Sequence, residues 1–374
     1  MTQAAPGSGP IIDCDIHMAL DSRRIADFLP QPWRRRYDTG NRGSGVLGYW
    51  NPNGVSRRDT VLPNGERIEA SPQTLAEHHF DAHGIAFGLL NMASFNFAVT
   101  PEADYGAALA AAVNDVLIED WLPADPRFRA SMVVTPVDPE AAVREIHRVG
   151  DHPGIVQVLL PSATQMPLGK RYYYPIYAAA VEHDLPVAIH PGYEGAGVSH
   201  QATAVGQPSS YLEWHTSLSG THQAQLVSLV SEGVFQHFPT LRFVFLEGGI
   251  SWLPPLLWRF DKNWMALRQT APWLDRPPSE IVYDHVRFTT QPLEEPERIE
   301  HFRQMMAMFP AERVVMFSSD FPHWDGDVPD FTAGAFPPPM RQRVMAETAR
   351  ELYRLPRSAQ SAPDVTPAPG AVTS

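Results

Sequence analysis

Short apolar runs rich in β-formers alternate along the chain with longer stretches in which apolar residues recur every three or four positions. The runs fall at residues 11–15, 85–91, 130–135, 155–160, 186–190, 242–247, 286–290 and 314–320, and each predicts a strand. Helical periodicity fills most of the gaps, over 71–83, 103–121, 139–149, 174–183, 223–238 and 294–308. A strand that leads through a helix into another strand pairs with it in parallel, and eight such units close into a barrel. The expected fold is therefore of the α/β class, a (β/α)8 TIM barrel. A doubly wound open sheet is the competing arrangement.

Two stretches depart from the alternation. Residues 18–70 form a long insertion after the first strand, with Arg, Gly, Pro and aromatic residues in PQPWRRRY and GYWNPNG. Loops of that length inside a compact domain usually carry function, and the aromatic content predicts a lid. A second long loop, 191–221, follows the fifth strand and carries Tyr193, His200, Tyr211, Trp214 and His215. Both leave the C-terminal ends of strands, the face on which barrel enzymes hold their active sites. Residues 1–357 read as one domain, and the Pro/Ala/Ser-rich stretch 358–374 predicts a disordered tail.

Composition narrows the partners. With 44% hydrophobic and 19% charged residues, the 374-residue chain can bury a large core. A net charge of −13 with only 29 Lys plus Arg argues against a nucleic-acid partner, which needs a basic face. A small-molecule substrate is expected instead. Cys14 is the single cysteine and leaves no internal disulfide. The opening MTQAAPGSGP lacks the basic and apolar regions of a leader, and no apolar run is long enough to span a membrane. These features predict a cytoplasmic protein.

The candidate chemistry lies at strand ends. In IIDCDIH, strand alternation places Asp13, Asp15 and His17 on one side and Cys14 and Ile16 on the other. A carboxylate and an imidazole two residues apart can chelate one ion, although a polar strand end often carries no metal. The fifth run ends at His190 in LPVAIHPG, and the eighth at Asp320 in VVMFSSDFPHWDGD. Each alone reads as a cap or a hydrogen-bonded core residue. The convergence of all four on one barrel mouth is what carries the signal.

The DIH of DCDIH, His190 in IHPG, Asp320 in SSDFPH and the segment FPTLRFVFLEGGISWLP resemble the amidohydrolase superfamily over roughly residues 11–355. Within it they are similar to the amidohydrolase 2 branch, which includes aminocarboxymuconate semialdehyde decarboxylase and the resorcylate-type decarboxylases. The resemblance implies one divalent metal, usually zinc or manganese, held by Asp15, His17, His190 and Asp320. Many members carry His-x-His where this chain has Asp15 and His17, and the harder carboxylate shifts the balance toward manganese or magnesium. Many also end strand six with histidine, where this chain has Glu247, a candidate ligand, ligand partner or proton carrier. Binuclear members bridge their metals with a carbamylated lysine at the end of strand four. The segment GIVQVLLPSA has none, and the two lysines, Lys170 and Lys262, lie elsewhere. Their placement also argues against a Schiff base, and the absence of GxGxxG, P-loop and GxSxG patterns removes the commoner alternatives.

The implied activity is non-oxidative decarboxylation of a small, carboxylated aromatic substrate, with Asp320 delivering the proton. Metal-hydroxide hydrolysis of an amide, ester or lactone is the alternative, with Asp320 accepting a proton from water. A metal-binding barrel without activity is the third reading. Glu247 and His215 join Asp320 as candidate catalytic groups, and Tyr193, Trp214 and His323 as candidate substrate contacts. Arg58, beside Arg57, offers a bidentate fork for a substrate carboxylate. HHFDAH, at 78–83, invites a metal reading but falls on the first long helix, in the outer ring and away from the mouth. ISWLPPLLWRF packs either in the core or between subunits, and a homodimer is expected.

Overall fold

The structure, a computed structural model, describes residues 9–40, 49–52 and 54–359. Eight parallel strands follow one another in chain order: β1 (Ile11–Met18), β2 (Ile85–Met92), β3 (Phe128–Val133), β4 (Ile155–Pro161), β5 (Val187–His190), β6 (Phe243–Phe245), β7 (Val286–Thr289) and β8 (Val315–Met316). The backbone after β8 returns to β1. The Cys14 N–H donates to Phe317 O at 3.0 Å, the Asp320 N–H to Asp15 O at 3.0 Å and the His17 N–H to Phe321 O at 2.6 Å. These bonds join the last strand to the first, so the sheet is a barrel and not an open doubly wound layer.

Strands enclosed by an inner filling and an outer helical ring are apolar on both faces, as IVQVLLP of β4 is, buried at every position. The outer helices form by local rules. Pro139–Val149 starts where the Asp138 carboxylate accepts from the Glu140 and Ala141 amides, with Pro139 in the first turn. Its Ala142, Ile146 and Val149 recur at helical spacing and are buried. Burying a side chain such as Ile146 contributes about 1.5–3 kcal/mol, so Ile146→Asp would detach that face.

β6 and β8 are shorter than the runs at 242–247 and 314–320 predict, because the chain turns out of extended geometry at the mouth. Glu247 has φ 49° and Asp320 φ 56°, both in the left-handed region. Two predicted helices also end in wider turns, at Ala76–Asp81 and Leu117–Trp121. The 223–238 stretch divides into Leu218–Ser231 and Val234–His237 at Gly233, whose φ of 76° suits glycine.

The insertion after β1 meets the loop after β8 and the insertion after β5 over the mouth. The Trp324 N–H donates to Val55 O at 3.0 Å, the Arg57 N–H to Pro322 O at 2.8 Å, and the Tyr49 hydroxyl to Pro208 O at 2.9 Å. Residues 41–48, part of the predicted lid, and 360–374, most of the predicted tail, lie outside the described residues. In ISWLPPLLWRF, Leu253 and Leu257 are core while Trp258 is exposed on the helix Leu253–Leu267. Among the described residues no helix is long and apolar enough to cross a membrane.

Candidate metal centre and its cavity

Asp15 and His17 come from the end of β1, His190 from the last position of β5 and Asp320 from the turn after β8. All four are buried, and one donor atom from each lies within 4.8 Å of the others. His17 Nε2 is 2.9 Å from Asp320 Oδ1, 3.2 Å from His190 Nε2 and 3.6 Å from Asp15 Oδ1, and His190 Nε2 is 3.5 Å from Asp15 Oδ2. Ligands on a common ion at bonds of about 2.1 Å and tetrahedral angles are separated by roughly 3.4 Å. The observed spacings bracket that value.

Two further observations fit a cation. Asp15 Oδ2 and Asp320 Oδ2 are buried without a hydrogen-bond partner, which is costly for an ionised oxygen unless something positive meets it. The His190 ring has Nδ1 2.7 Å from the Pro191 carbonyl, so Nδ1 carries the hydrogen and Nε2 keeps its lone pair toward the cluster. Asn91, at the end of β2, donates to Asp15 Oδ1 at 2.6 Å and orients that carboxylate.

Asp13 does not join the group, contrary to the strand alternation expected for β1. Asp13 pairs with Gly88 and Ile16 with Leu90, three steps on β1 against two on β2, so a bulge interrupts the alternation. Asp13 turns to the helical segment before β2, where its Oδ2 lies 3.2 Å from His79 Nε2. Its Oδ1 accepts from the Ser319 amide at 2.9 Å and the Asp15 amide at 3.3 Å. HHFDAH is thus not wholly peripheral: His79 is buried behind the centre, while His78 and His83 are exposed.

Beside the centre opens a cavity of about 400 Å³, and of the four donors His190 lines it. Its wall includes Tyr49, Tyr193, Tyr211, Trp214 and Trp324, together with His190, His215, Glu247, His323 and Asp325. The expected substrate contacts Tyr193, Trp214 and His323 line it, as do the candidate catalytic groups His215 and Glu247. The Tyr193 hydroxyl accepts from the Phe95 amide at 2.7 Å, so this ring acts as a fixed wall. Arg58 does not reach the cavity. It is exposed on the short turn Arg58–Thr60, which carries it to solvent, and Arg57 is paired with Asp59 at 2.9 Å. Among the described residues no Lys or Arg lines this cavity.

The electrostatics separate the acids. His323 Nδ1 is 2.8 Å from Asp320 Oδ1, and its ring stacks on His17 at 4.3 Å. Burial disfavours the charged His323, but the Asp320 carboxylate outweighs it and holds the imidazolium up to about 9. Burial also works against ionised Asp320, yet His323 and His17 keep it below the usual carboxylate range. Glu247, with Oε2 3.0 Å from His190 Nε2, is pushed well above that range by burial and then by Asp320 and Asp325. At neutral pH His323 therefore carries a proton beside an anionic Asp320, and Glu247 holds a proton more readily than an ordinary carboxylate.

Asn91, Gln291, Glu194 and Asp325 also border the site, although the sequence pattern alone does not single them out. Gln291, after β7, donates to Asp325 Oδ2 at 3.2 Å, and buried Glu194 accepts from Ser162 Oγ at 2.7 Å. Asn91 and Gln291 carry the signal that marks His190, a polar residue closing an apolar run. Glu194 and Asp325 sit in loops that offer no such pattern.

The amidohydrolase family profile matches residues 12–355. Gamma-resorcylate decarboxylase of Rhizobium sp. (strain MTP-10005) is 26% identical over 208 residues, which is 51% of this chain and 60% of that protein. The chain thus spans about three-fifths of the length of this curated relative. An amidohydrolase from Mycobacterium avium subsp. paratuberculosis K-10 superposes with a TM-score of 0.70 at 20% identity, over 92% of this chain and 99% of that one. A dihydroxybenzoic acid decarboxylase from Polaromonas sp. JS666, solved with bound manganese and 2-nitroresorcinol, gives 0.65 at 18%, over 93% and 97%. A profile that runs from the second residue of β1 to well past β8 takes in every strand of the barrel, and the chain belongs to the amidohydrolase family.

Proposed function

We propose that this protein is a metal-dependent decarboxylase that removes carbon dioxide non-oxidatively from a small aromatic carboxylic acid. The observation that carries the reading is the buried Asp15, His17, His190 and Asp320 group, which reaches through His190 a cavity walled by aromatic rings. Flat rings stack favourably on such walls. The named activities of the resorcylate and dihydroxybenzoate relatives support the same substrate class.

Asp15, His17, His190 and Asp320 would hold one divalent ion, and manganese suits the two carboxylates better than zinc does. When bound, such an ion supplies Lewis-acid polarisation of substrate oxygens. The chain's own residues do the rest. Tyr193, Trp214 and Tyr49 hold the ring and keep water from it. The carbon–carbon bond to the carboxylate breaks, its electron pair stays on the ring carbon, and carbon dioxide leaves. That carbon then takes a proton held between Asp320 and His323, of which His323 is the member at the cavity surface.

Hydrolysis of an ester, amide or lactone is the second reading. It is favoured by Glu247 beside His190, an acid whose proton affinity burial raises and which can exchange protons with a leaving atom. The test is to strip the protein with chelator, reload it with manganese or zinc, and incubate it with 2,6-dihydroxybenzoate and with aryl esters and lactones. Metal-dependent carbon dioxide release with no ester or lactone cleavage is expected. Cleavage without carbon dioxide release would reverse the assignment.

A further inference from the structure

We propose that His215, Glu247 and Asp325 form a second divalent-cation site, open to the cavity and sharing Glu247 with the buried centre. The inference rests on the metal reading of that centre and adds a site to it. One donor atom from each of the three residues lies within 4.8 Å of the other two. His215 Nε2 is 3.4 Å from Asp325 Oδ2, the separation of roughly 3.4 Å expected for two ligands on one ion. Glu247 also lies 3.0 Å from His190 Nε2. One carboxyl group therefore borders both sets of donors, the position of a bridging ligand.

Three features distinguish this trio from an incidental acidic cluster. It contains an imidazole, and all three residues line the cavity, so protein fills one side and leaves the other open, as in sites that exchange ligands. Gln291 holds Asp325 from behind, donating from Nε2 to Oδ2 at 3.2 Å, the kind of outer contact that orients a ligating carboxylate. The Gln291 side chain is fully buried, and its Oε1 has no hydrogen-bond partner. The charge balance points the same way. With Asp15 and Asp320 assigned to the first ion, Glu194, Glu247 and Asp325 remain on the cavity wall, where no Lys or Arg is among the described lining residues and the His323 imidazolium is already paired with Asp320. Two carboxylates among three donors favour a hard ion such as Mn²⁺ or Mg²⁺.

The experiment is a Mn²⁺ titration of the chelator-stripped full-length protein, with bound metal counted after equilibrium dialysis and spin coupling between ions read by electron paramagnetic resonance. Two equivalents are expected, the second at least about ten-fold weaker because its site is solvent-open, with coupling appearing as it fills. His215→Ala and Asp325→Asn should each retain the first equivalent and lose the second, and circular dichroism reports whether each is folded. A single equivalent in the parent protein that His190→Ala abolishes overturns the second site and leaves the buried centre standing. A second equivalent that survives in both folded variants also overturns it, as adventitious binding. If the parent binds no manganese, both sites fall. Should neither variant fold, the parent's stoichiometry and spin coupling decide.

Discussion

The floor and the wall of the cavity are built by opposite means. The floor is set by the buried group Asp15, His17, His190 and Asp320, of which His190 lines the cavity, delivered by β1, β5 and the turn after β8 and held by backbone pairing between the first and last strands. The wall is assembled from insertions that are remote in sequence. Tyr211 stacks on His215 at 5.3 Å, Trp324 Nε1 donates to the Tyr211 hydroxyl at 3.1 Å, and Tyr49 stacks on Trp214 at 5.9 Å. Closing a barrel forces strand ends together, whereas these rings of the wall are positioned by contacts between loops, with Tyr193, tied to the Phe95 amide, as the fixed exception. The lesson is a division of labour: chemistry belongs to the rigid floor, and choice of substrate to the adaptable wall.

The floor's rigidity depends on buried groups keeping one protonation state, which acid should break first. His222 lies under β6, fully buried, with Nε2 2.9 Å from Leu246 O. Burial lowers its pKa to about 4 from the ordinary 6.5. Between those values the unfolded chain binds a proton that the folded one refuses, so this contribution is complete above pH 6.5 and is lost as pH falls toward 4. The shift corresponds to at most roughly 3 kcal/mol. Urea unfolding of metal-free parent and His222→Gln proteins should show the variant's deficit shrinking by up to that amount across the window. A deficit independent of pH would show that His222 is not held neutral.

The same division explains what could be read from the chain alone. Asp15, His17, His190 and Asp320 were legible because each closes an apolar run, and barrel closure turns run ends into neighbours. Asp13 was misplaced because a bulge has no signature in the alternation of IIDCDIH; it exists only in the pairing with β2. Arg58 was drawn to the cavity by its charge, but its direction depends on the turn at Arg58–Thr60, and it faces solvent. Asp325 was passed over because its partners, His215 and Gln291, are more than thirty residues distant in sequence.

Asp13 offers a finer test of how the floor is held. It ties the Asp15 and Ser319 amides together, so one carboxylate registers the β1 ligands against the β8 ligand. Asp13→Asn keeps the shape and weakens the acceptor. Metal affinity should drop about 10–100-fold, as with other partners of metal ligands. The KM measured at saturating metal should stay within about two-fold, because Asp13 is remote from the wall. Unchanged metal affinity, measured by competition with a chelating dye, would reduce Asp13 to a packing role.

The smallest effects should come from the wall and should fall on binding rather than turnover. Trp214 lines the cavity, and its indole N–H is buried without a partner in the protein, leaving a stacking face and a donor for substrate. Losing an aromatic contact costs about 0.5–1.5 kcal/mol, so Trp214→Ala should raise KM up to about ten-fold with kcat nearly unchanged, the pattern of uniform binding. Trp214→Phe keeps a ring and removes the donor, and a KM between those of parent and alanine variant would divide the two contributions. Arg58→Ala is the matched control, a cation beside the mouth in sequence but outside the cavity in space, and its KM for carboxylated substrates should stay within about two-fold of the parent. If Arg58→Ala raised KM more than Trp214→Ala did, the insertion after β1 would have to swing its turn inward when substrate binds. The wall would then be completed by the ligand, and the contrast with the preformed floor would be sharper still.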